Sequence, residues 1–224
     1  MILYAIPTPL GGEPQEALPA PALATIRNIV DFAVENAKSA RAFLGALGMP
    51  VRELSIVEIA DKADLLAPLR AGRSLGLLSE AGCPAIADPG AQLVEAAHRE
   101  GFRVVPLIGP CAITLALMAS GLEGQRFAFC GYLPREGAPR AKRIRELETR
   151  SRREHETEIF IETPYRSDAL FAALLEVCAP ATRLCVAADL TLATEFIRTR
   201  SIAEWRRAKG AIGKRPAVFL LLAS

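Results

Sequence analysis

The sequence predicts an α/β protein. Short apolar runs of strand length alternate along the chain with segments whose apolar residues recur at helical spacing. Two of these apolar runs lead directly into loops of small residues, glycine and proline. The 224 residues are 51% hydrophobic and 23% charged, which is typical of a globular protein with a sizeable core. Alternating strands and helices favour mainly parallel sheets.

The first half of the chain contains most of the regular alternation. Residues 2–6 are a predicted strand, the proline-rich stretch to residue 21 is interpreted as loop, and residues 26–32 begin either a strand or a helix. The later elements are helices predicted to end at glycines, and strands between them. They are, in order, helix 38–47, strand 54–59, helix 63–70, strand 74–78, helix 91–100, strand 103–107 and helix 113–120.

A change of rhythm near residues 121–124 indicates a second domain. We expect an N-terminal α/β domain over residues 1–118 and a C-terminal α/β domain over residues 119–224. The elements predicted in this half are strand 127–132, a highly charged helix 140–153, strand 158–161, helix 167–177, strands 184–188 and 194–199, helix 202–207 and strand 217–222.

Composition excludes several classes of protein. The formal net charge of +2 does not require a nucleic-acid partner, and no apolar stretch reaches the length of a membrane helix. The N-terminus lacks the basic start of a signal peptide. Five scattered cysteines without a C-x-x-C pair indicate reduced thiols and a cytoplasmic protein. Two histidines without clustered ligands predict no metal site.

Two loops of small residues predict a ligand crevice. Residues 79–90 follow one predicted strand, and residues 108–112 follow the next. In α/β sheets ligands bind at the carboxyl ends of strands, where glycine and other small residues let the ligand approach the backbone. Tight strand–helix turns are the alternative. Neither loop has a phosphate-binding G-x-x-x-x-G-K-[ST] or G-x-G-x-x-G pattern, so a nucleoside triphosphate is disfavoured.

A resemblance to a known family extends over nearly the whole chain. It rests on residues 4–10 (YAIPTPL), 79–90 (SEAGCPAIADPG), 103–112 (RVVPLIGPCA), 120–122 (SGL), 129–134 (FCGYLP) and 161–166 (IETPYR). These motifs resemble the ribosomal RNA small-subunit methyltransferase I family, within the tetrapyrrole-methylase-like methyltransferases that use S-adenosylmethionine. The resemblance implies a homodimer of two-domain α/β chains with the cofactor in a cleft between the domains.

The resemblance also implies the residues that contact the cofactor. In the first half these are Leu10 in the first loop, Gly82, Cys83 and Ile86 in the second, and Cys111 and Ala112 in the third. In the second half Glu162, Leu190 and Ala217 occupy the positions at which the wider group contacts adenine and ribose. By the same resemblance the substrate is ribosomal RNA and the methyl acceptor is a ribose hydroxyl.

A ribose hydroxyl is a weak nucleophile, so its methylation needs a base or a polarising cation nearby. Glu35 stands where the family has the acidic residue of an Ala-Glu-Asp-Thr-Arg motif, which implies that it is the catalytic base. A solvated or helix-capping glutamate is the alternative.

The chain departs from the family in segments that would face the substrate. The family motif around Glu35 here reads VENAK, and residues 11–20, 188–192 and 214–216 also differ. Two alternatives therefore stay open. One is an enzyme of the same fold that methylates a tetrapyrrole, another small molecule or a protein side chain. The other is a non-catalytic relative that serves as a binding module.

A basic run bears on the choice of substrate. Its cations are Arg135, Arg140, Lys142, Arg143, Arg145, Arg150, Arg152 and Arg153. They could neutralise the phosphates of RNA. Alternatively, since glutamates are interspersed among them, the run could be an exposed helix with internal ion pairs.

Overall fold

The structure is a computed structural model that describes residues 1–61, 63–208 and 210–224. These residues divide into two compact units, Met1–Cys111 and Ala112–Ser224, each with its own sheet. The predicted α/β class is confirmed in both. The boundary that we expect between residues 118 and 119 falls within the first helix of the second unit, and as a domain boundary it stays a prediction.

The first unit is a five-stranded sheet with helices between the strands. Its strands are β1 (Ile2–Ile6), β2 (Asp31–Val34), β3 (Ser55–Glu58), β4 (Leu75–Leu78) and β5 (Arg103–Pro106). Its helices are α1 (Pro14–Ala17), α2 (Ala20–Ile26), α3 (Ala37–Ala46), α4 (Ala67–Arg70) and α5 (Ala91–Arg99). The strand order is β3-β2-β4-β1-β5, and every pair is parallel, as the sequence predicts for this half.

Both faces of this sheet are covered because its strands are apolar on both sides. Phe32 and Val34 of β2 contribute to a core with residues of α2 and α3, whereas Ala33 between them contributes to a second core with residues of α4 and α5. This alternation follows from the two-residue period of a strand. A parallel sheet buried on both faces presents its loops, rather than a face, to a ligand.

The proline-rich stretch interpreted as loop contains α1 and α2, and that prediction was wrong. Pro14 opens α1 and Pro21 lies in the first turn of α2, where the missing N–H would have no helical partner and the fixed φ favours a helix. The helix predicted over residues 63–70 is confined to α4, with Pro68 in its first turn. An earlier start would place that proline inside the helix, where it breaks a hydrogen bond.

The described residues of the second unit form nine elements. They are α6 (Ala112–Ser120), β6 (Phe127–Tyr132), α7 (Gly137–Glu154), β7 (Thr157–Glu162), α8 (Ser167–Val177), β8 (Arg183–Ala188), β9 (Phe196–Ser201), α9 (Ile202–Ala208) and β10 (Ala217–Leu222). The strand order is β6-β7-β10-β8-β9. Only the β6–β7 pair of these described strands is parallel, so the expectation of mainly parallel strands is wrong here. One reason is that residues 189–195, which join β8 to β9, are too few for a parallel crossover.

The core of the second unit lies between this sheet and helices α7, α8 and α9. Phe160 of β7 stacks on Phe219 of β10 with ring centroids 5.9 Å apart. Trp205 of α9 meets Phe171 of α8 edge to face at 5.2 Å, and its indole N–H donates to the Leu184 carbonyl at 2.8 Å. Helix α6 packs against β8, β9 and β10.

The β6–β7 pairing is interrupted near the end of β6. The register shifts between Phe129 and Tyr132, and Gly131 between them has φ of +64°. An irregularity of this kind bends the strand and changes the direction of the side chain that follows. Tyr132 is consequently 54% exposed, although it ends a strand whose neighbour β7 is buried.

No helix among the described residues is long and apolar enough to cross a membrane.

Candidate functional site

The carboxyl ends of β1, β4 and β5 place three loops side by side. These are loop 1 (residues 7–13), loop 2 (residues 79–90) and loop 3 (residues 107–111), and the three strands are neighbours in the order β4-β1-β5. From β1 the chain leads past β4 to β2, whereas from β4 it leads past β1 to β5, so the connections from these adjacent strands run in opposite directions along the sheet. Oppositely directed connections from adjacent strands mark the position at which parallel sheets bind ligands.

Backbone contacts hold the three loops together. Thr8 of loop 1 and Gly82 of loop 2 exchange two hydrogen bonds, 2.9 Å from the Thr8 N–H and 3.0 Å from the Gly82 N–H. The Cys83 thiol donates to the Pro110 carbonyl of loop 3 at 3.5 Å. A Cβ on Gly109 would lie 2.5 Å from the Cβ of Pro7, so loops 1 and 3 also touch. The three loops form one surface, which we call the loop cluster.

Loop 2 has an unusual backbone. Gly82 has φ of +79°, and the alanines at 85 and 87 also have left-handed φ values of 64° and 66°. Each non-glycine residue in this region costs about 1–2 kcal/mol. Such strain is kept where surrounding contacts enforce it, and it concentrates at ligand sites. A Cβ on Gly82 would lie 3.2 Å from a methyl group of Leu10, so glycine allows loops 1 and 2 to approach each other here.

Two cysteines lie next to each other in the loop cluster. Burial, and then the neighbouring thiol of Cys111, raises the pKa of the Cys83 thiol to about 11. Both side chains are half-buried. At neutral pH Cys83 is therefore an uncharged, weakly nucleophilic thiol.

Carboxylates gather at the neighbouring strand ends. Glu35 follows β2 directly, and its carboxylate accepts a hydrogen bond of 3.0 Å from the backbone N–H of Glu80 in loop 2. Burial, and then the charge of Glu35, raises the pKa of Asp88 to about 6, while a hydrogen bond with Ser79 acts in the opposite direction. The side chain that caps α3 is Asn36, not Glu35. The position of Glu35 is thus set by loop 2, and it faces a second acid, Asp88.

Most of the residues in the first unit that the resemblance implies as cofactor contacts lie close together. Leu10 lies against Gly82, and Cys83 lies beside Cys111. Ile86, which is 47% exposed, lies further along loop 2. Ala112 is the first residue of α6 and belongs to the second unit.

The residues in the second unit that the resemblance implies as cofactor contacts lie at the same end of three neighbouring strands, β7, β10 and β8. Glu162 ends β7 and pairs with Ala217 at the start of β10. Leu190 follows β8 and lies between two residues with left-handed backbone, Asp189 at φ 51° and Thr191 at φ 72°. Glu162 is buried, and its carboxylate accepts from the Thr163 N–H at 2.7 Å and forms an ion pair with Arg166. The carboxylate is therefore already occupied by neighbours within its own unit.

Helix α7 carries all of the basic run except Arg135, which precedes it, and the cations of the run divide into two groups. Arg143 pairs with Glu146, Arg150 pairs with Glu156 and Glu158, and Arg153 pairs with Glu154. The others make no ion pair with any residue that the structure describes. These are Arg135, Arg140, Lys142, Arg145 and Arg152, the last of which donates to the Ser224 carbonyl. Part of the run is thus paired with glutamates, and part has no ion pair among the described residues, whereas its contact with RNA phosphates stays a prediction.

Sequence reasoning missed two residues near these sites. Asp88 lies in the Ala-Asp-Pro-Gly segment of loop 2, but its burial and its proximity to Glu35 depend on how β2 and β4 pair. Thr8 is buried and hydrogen-bonded to Gly82. The only sequence signal for a role of Thr8 in the site is its position within the motif at residues 4–10. Among the described residues, no group of three or more His, Cys, Asp or Glu side chains could hold a metal ion.

Comparison with known proteins shows extensive similarity to one family, although no family model matches the chain. Ribosomal RNA small subunit methyltransferase I of Vibrio cholerae is 34% identical over 206 residues, which are 91% of this chain and 69% of that protein. The proteins of the same name from Pseudomonas aeruginosa and Neisseria meningitidis are each 31% identical. They match 90% and 95% of this chain, and this chain covers 71% and 72% of them.

A solved structure shows the same fold. The crystal structure of uroporphyrin-III-C-methyltransferase from Thermus thermophilus matches with a TM-score of 0.58 and 21% identity, over 99% of this chain and 94% of that one. Two α/β units of this topology thus define a tetrapyrrole-methylase-like fold, and the chain is a methyltransferase. It belongs to the ribosomal RNA small subunit methyltransferase I family.

Proposed function

We propose that this methyltransferase takes its methyl group from S-adenosylmethionine and transfers it to a ribose hydroxyl of small-subunit ribosomal RNA. The observation that carries the proposal is the loop cluster, where three loops converge at the end of a parallel sheet and are joined through Thr8, Gly82 and Cys83. The named relatives act on ribosomal RNA of the small subunit, and this chain matches their sequence over both of its units.

The loop cluster fits the donor in shape. Gly82 leaves the backbone of loop 2 open, and a side chain there would fill the space beside Leu10. Leu10 and the small side chains of Cys83 and Cys111 would pack against the heterocycle and the hydrocarbon parts of the donor. Once bound, S-adenosylmethionine supplies a methyl group already activated by its sulfonium.

The raised pKa of Cys83 protects the protein from its own cofactor. A thiolate is a strong nucleophile, whereas a thiol with a pKa of about 11 is almost entirely protonated at neutral pH. Keeping Cys83 neutral in the loop cluster leaves the acceptor hydroxyl as the group to be methylated.

Glu35 and Asp88 supply the acid–base chemistry in this proposal. A general base works best with a pKa close to the working pH, and Asp88 has a pKa of about 6 because it is partly buried beside Glu35. One of the two carboxylates accepts the hydroxyl proton, and the negative charge of the other makes it a better base. The hydrogen bond from Glu80 keeps Glu35 at the end of β2.

Helix α7 is the proposed contact surface for the RNA backbone. Lys142 and Arg145 are exposed and make no ion pair with the described residues, and they line a surface cavity of about 480 Å³ with Arg143 and Arg153. A surface of this charge attracts phosphates irrespective of base sequence.

The resemblance further implies a homodimer, which we include in the proposal and which sedimentation at micromolar concentration tests.

Two measurements test this function. Calorimetric titration with S-adenosylmethionine should show one site per chain, and no binding would contradict the assignment of the donor. Labelled methyl groups should then pass from the donor to RNA when RNA, protein and small-molecule fractions from a strain lacking this protein are compared. Label in the tetrapyrrole-containing or protein fraction instead would assign the enzyme to a different substrate, and no label in any fraction would indicate a binding module.

A further inference from the structure

We infer that Arg135 and Arg166 form an anion subsite for the RNA phosphate next to the target nucleotide. The inference rests on the proposed function and concerns a cavity of about 430 Å³ at the carboxyl ends of β6 and β7. Its walls are Tyr132, Leu133, Pro134, Arg135, Thr163 and Arg166. The size is within the range of small-ligand pockets, and all the walls come from the second unit.

Arg166 is held in place by neighbours that leave part of its guanidinium unused. One nitrogen, Nη2, pairs with the buried carboxylate of Glu162, and Nε donates to the Thr163 hydroxyl at 3.3 Å. The third nitrogen, Nη1, is buried and has no hydrogen-bond partner among the residues that the structure describes. A buried donor without a partner is unfavourable, so a small rearrangement that brings Nη1 to an anion in the cavity would complete its hydrogen bonding.

Arg135 supplies a second positive charge on the same cavity. It is exposed and makes no ion pair with any described residue. With Arg166 it places two guanidinium groups on the lining of one cavity, and Glu162 compensates the charge of only one of them, so an anion in the cavity would be attracted. The guanidinium fork suits phosphate oxygens, which accept two parallel N–H bonds.

The remaining walls favour a nucleotide over a free anion. The register shift in β6 presents Tyr132 at the edge of the cavity, and Pro134 follows it two residues later. An exposed aromatic ring beside a phosphate site is the arrangement on which single-stranded RNA bases stack. A single-stranded nucleic acid presents both a phosphodiester and an unstacked base to one cavity, and the proposed function makes that strand RNA.

The test uses the full-length enzyme and three variants. Arg135→Gln removes an exposed charge without disturbing the fold. Arg166→Lys keeps the charge beside Glu162 but removes the guanidinium nitrogen that has no partner. Arg52→Gln is the matched control, because Arg52 is an exposed arginine just before β3, at the opposite edge of the first sheet from its loops.

For Arg135→Gln we expect the KM for RNA to rise three- to tenfold with little change in kcat. The slope of log K against log salt for RNA binding should become smaller by about 0.7, the value for one phosphate contact on a single strand. Arg166→Lys should lower kcat/KM at least tenfold, and Arg52→Gln should match wild type. The affinity for S-adenosylmethionine should not change in any of them.

Unchanged KM and salt slope in Arg135→Gln, with wild type methylating RNA normally, would overturn this inference and leave the proposed function intact. A weakened affinity for S-adenosylmethionine in either cavity variant would also overturn it, because the cavity would then belong to the donor. Failure of the wild-type enzyme to bind or methylate RNA would overturn both the inference and the proposed function.

Discussion

Single residues account for the geometry of the loop cluster. Gly82 combines a left-handed backbone, a paired N–H and carbonyl with Thr8, and close contact with Leu10. Gly72, in the turn after α4, has a similar φ of +83° but has nothing within 4 Å of an added Cβ. Substitutions at the two glycines can therefore distinguish the effect of backbone strain from the effect of crowding between the loops.

The alanine variants of these two glycines should differ only in their affinity for S-adenosylmethionine. Both Gly82→Ala and Gly72→Ala should lower the free energy of unfolding by about 1–2 kcal/mol, because each forces alanine into the left-handed region. Gly82→Ala alone should weaken S-adenosylmethionine binding, by about tenfold or more, in calorimetric titration. Equal donor affinities in the two variants would separate loop 2 from the donor site.

Asp88 should give stability a distinct dependence on pH. Its pKa is about 6 in the folded protein and near 3.8 when unfolded, so the unfolded chain loses this proton first as pH rises. Stability should therefore fall between about pH 4 and pH 6. In Asp88→Asn that contribution, on the order of 1 kcal/mol at a partly exposed site, should be missing. Urea unfolding at pH 4 and pH 7 measures it, and identical pH profiles for the two proteins would contradict the raised pKa.

The same carboxyl should control the rate of methyl transfer. If the ionised pair of Glu35 and Asp88 accepts the hydroxyl proton, kcat rises with pH through about 6. Asp88→Asn should lower kcat about 100-fold and abolish that rise, whereas the affinity for donor changes little. A full rate in Asp88→Asn, or a profile that is flat from pH 5 to pH 8, would exclude this carboxyl from the proton transfer.

At the scale of elements, helix α7 shows why residue type alone does not reveal a role. Arg150 pairs with Glu158, which is fully buried on β7, and joins helix to sheet. Glu148 of the same helix is also buried and accepts from the Ala179 N–H at 2.8 Å. Arg145, only five residues before Arg150, is exposed and pairs with none of the described residues. One face of the helix thus stabilises the unit, and the other is available to a ligand.

Glutamine substitutions should separate the two faces. Arg150→Gln leaves the Glu158 carboxylate buried without its partner, and it should lower the free energy of unfolding by about 3–5 kcal/mol. Arg145→Gln should change it by less than about 0.5 kcal/mol but weaken RNA binding and reduce its salt dependence. Chemical denaturation and RNA titrations provide the two readouts. Comparable stability losses in both variants would mean that the helix has no free face.

The accuracy of the sequence predictions also varies by element. Helix α8 and strand β10 have the predicted bounds, because α8 begins at the polar pair Ser167 and Asp168 and ends before Pro180, whereas β10 is an unbroken apolar run that begins after Pro216. Helices α1 and α2 were missed because proline in a first turn resembles proline in a loop until the turn is seen. The sequence left residues 26–32 open between strand and helix, so it did not place Glu35 at a strand end. The proximity of Glu35 to Asp88 could not be predicted either, because it depends on the parallel register of β2 and β4.

At the scale of the whole molecule, this methyltransferase chain contains two sheets of different topology. The first is wholly parallel and presents loops at one edge, whereas the second is mixed and presents an irregular strand and a basic helix. The motifs that carry the family resemblance lie in both units, and the departures from it lie in segments expected to face the substrate. The acceptor, rather than the donor, is therefore the part of the proposed reaction that most needs a direct test.

The most direct test is to locate the transferred methyl group. Purified enzyme, labelled S-adenosylmethionine and small ribosomal subunits from a strain lacking this protein are incubated, and the RNA is digested to nucleosides. We expect the label in a nucleoside methylated on its ribose, and none with Gly82→Arg, a variant whose side chain would occupy the space beside Leu10. Absence of label from the RNA, or label on a base instead of a ribose, would contradict the account.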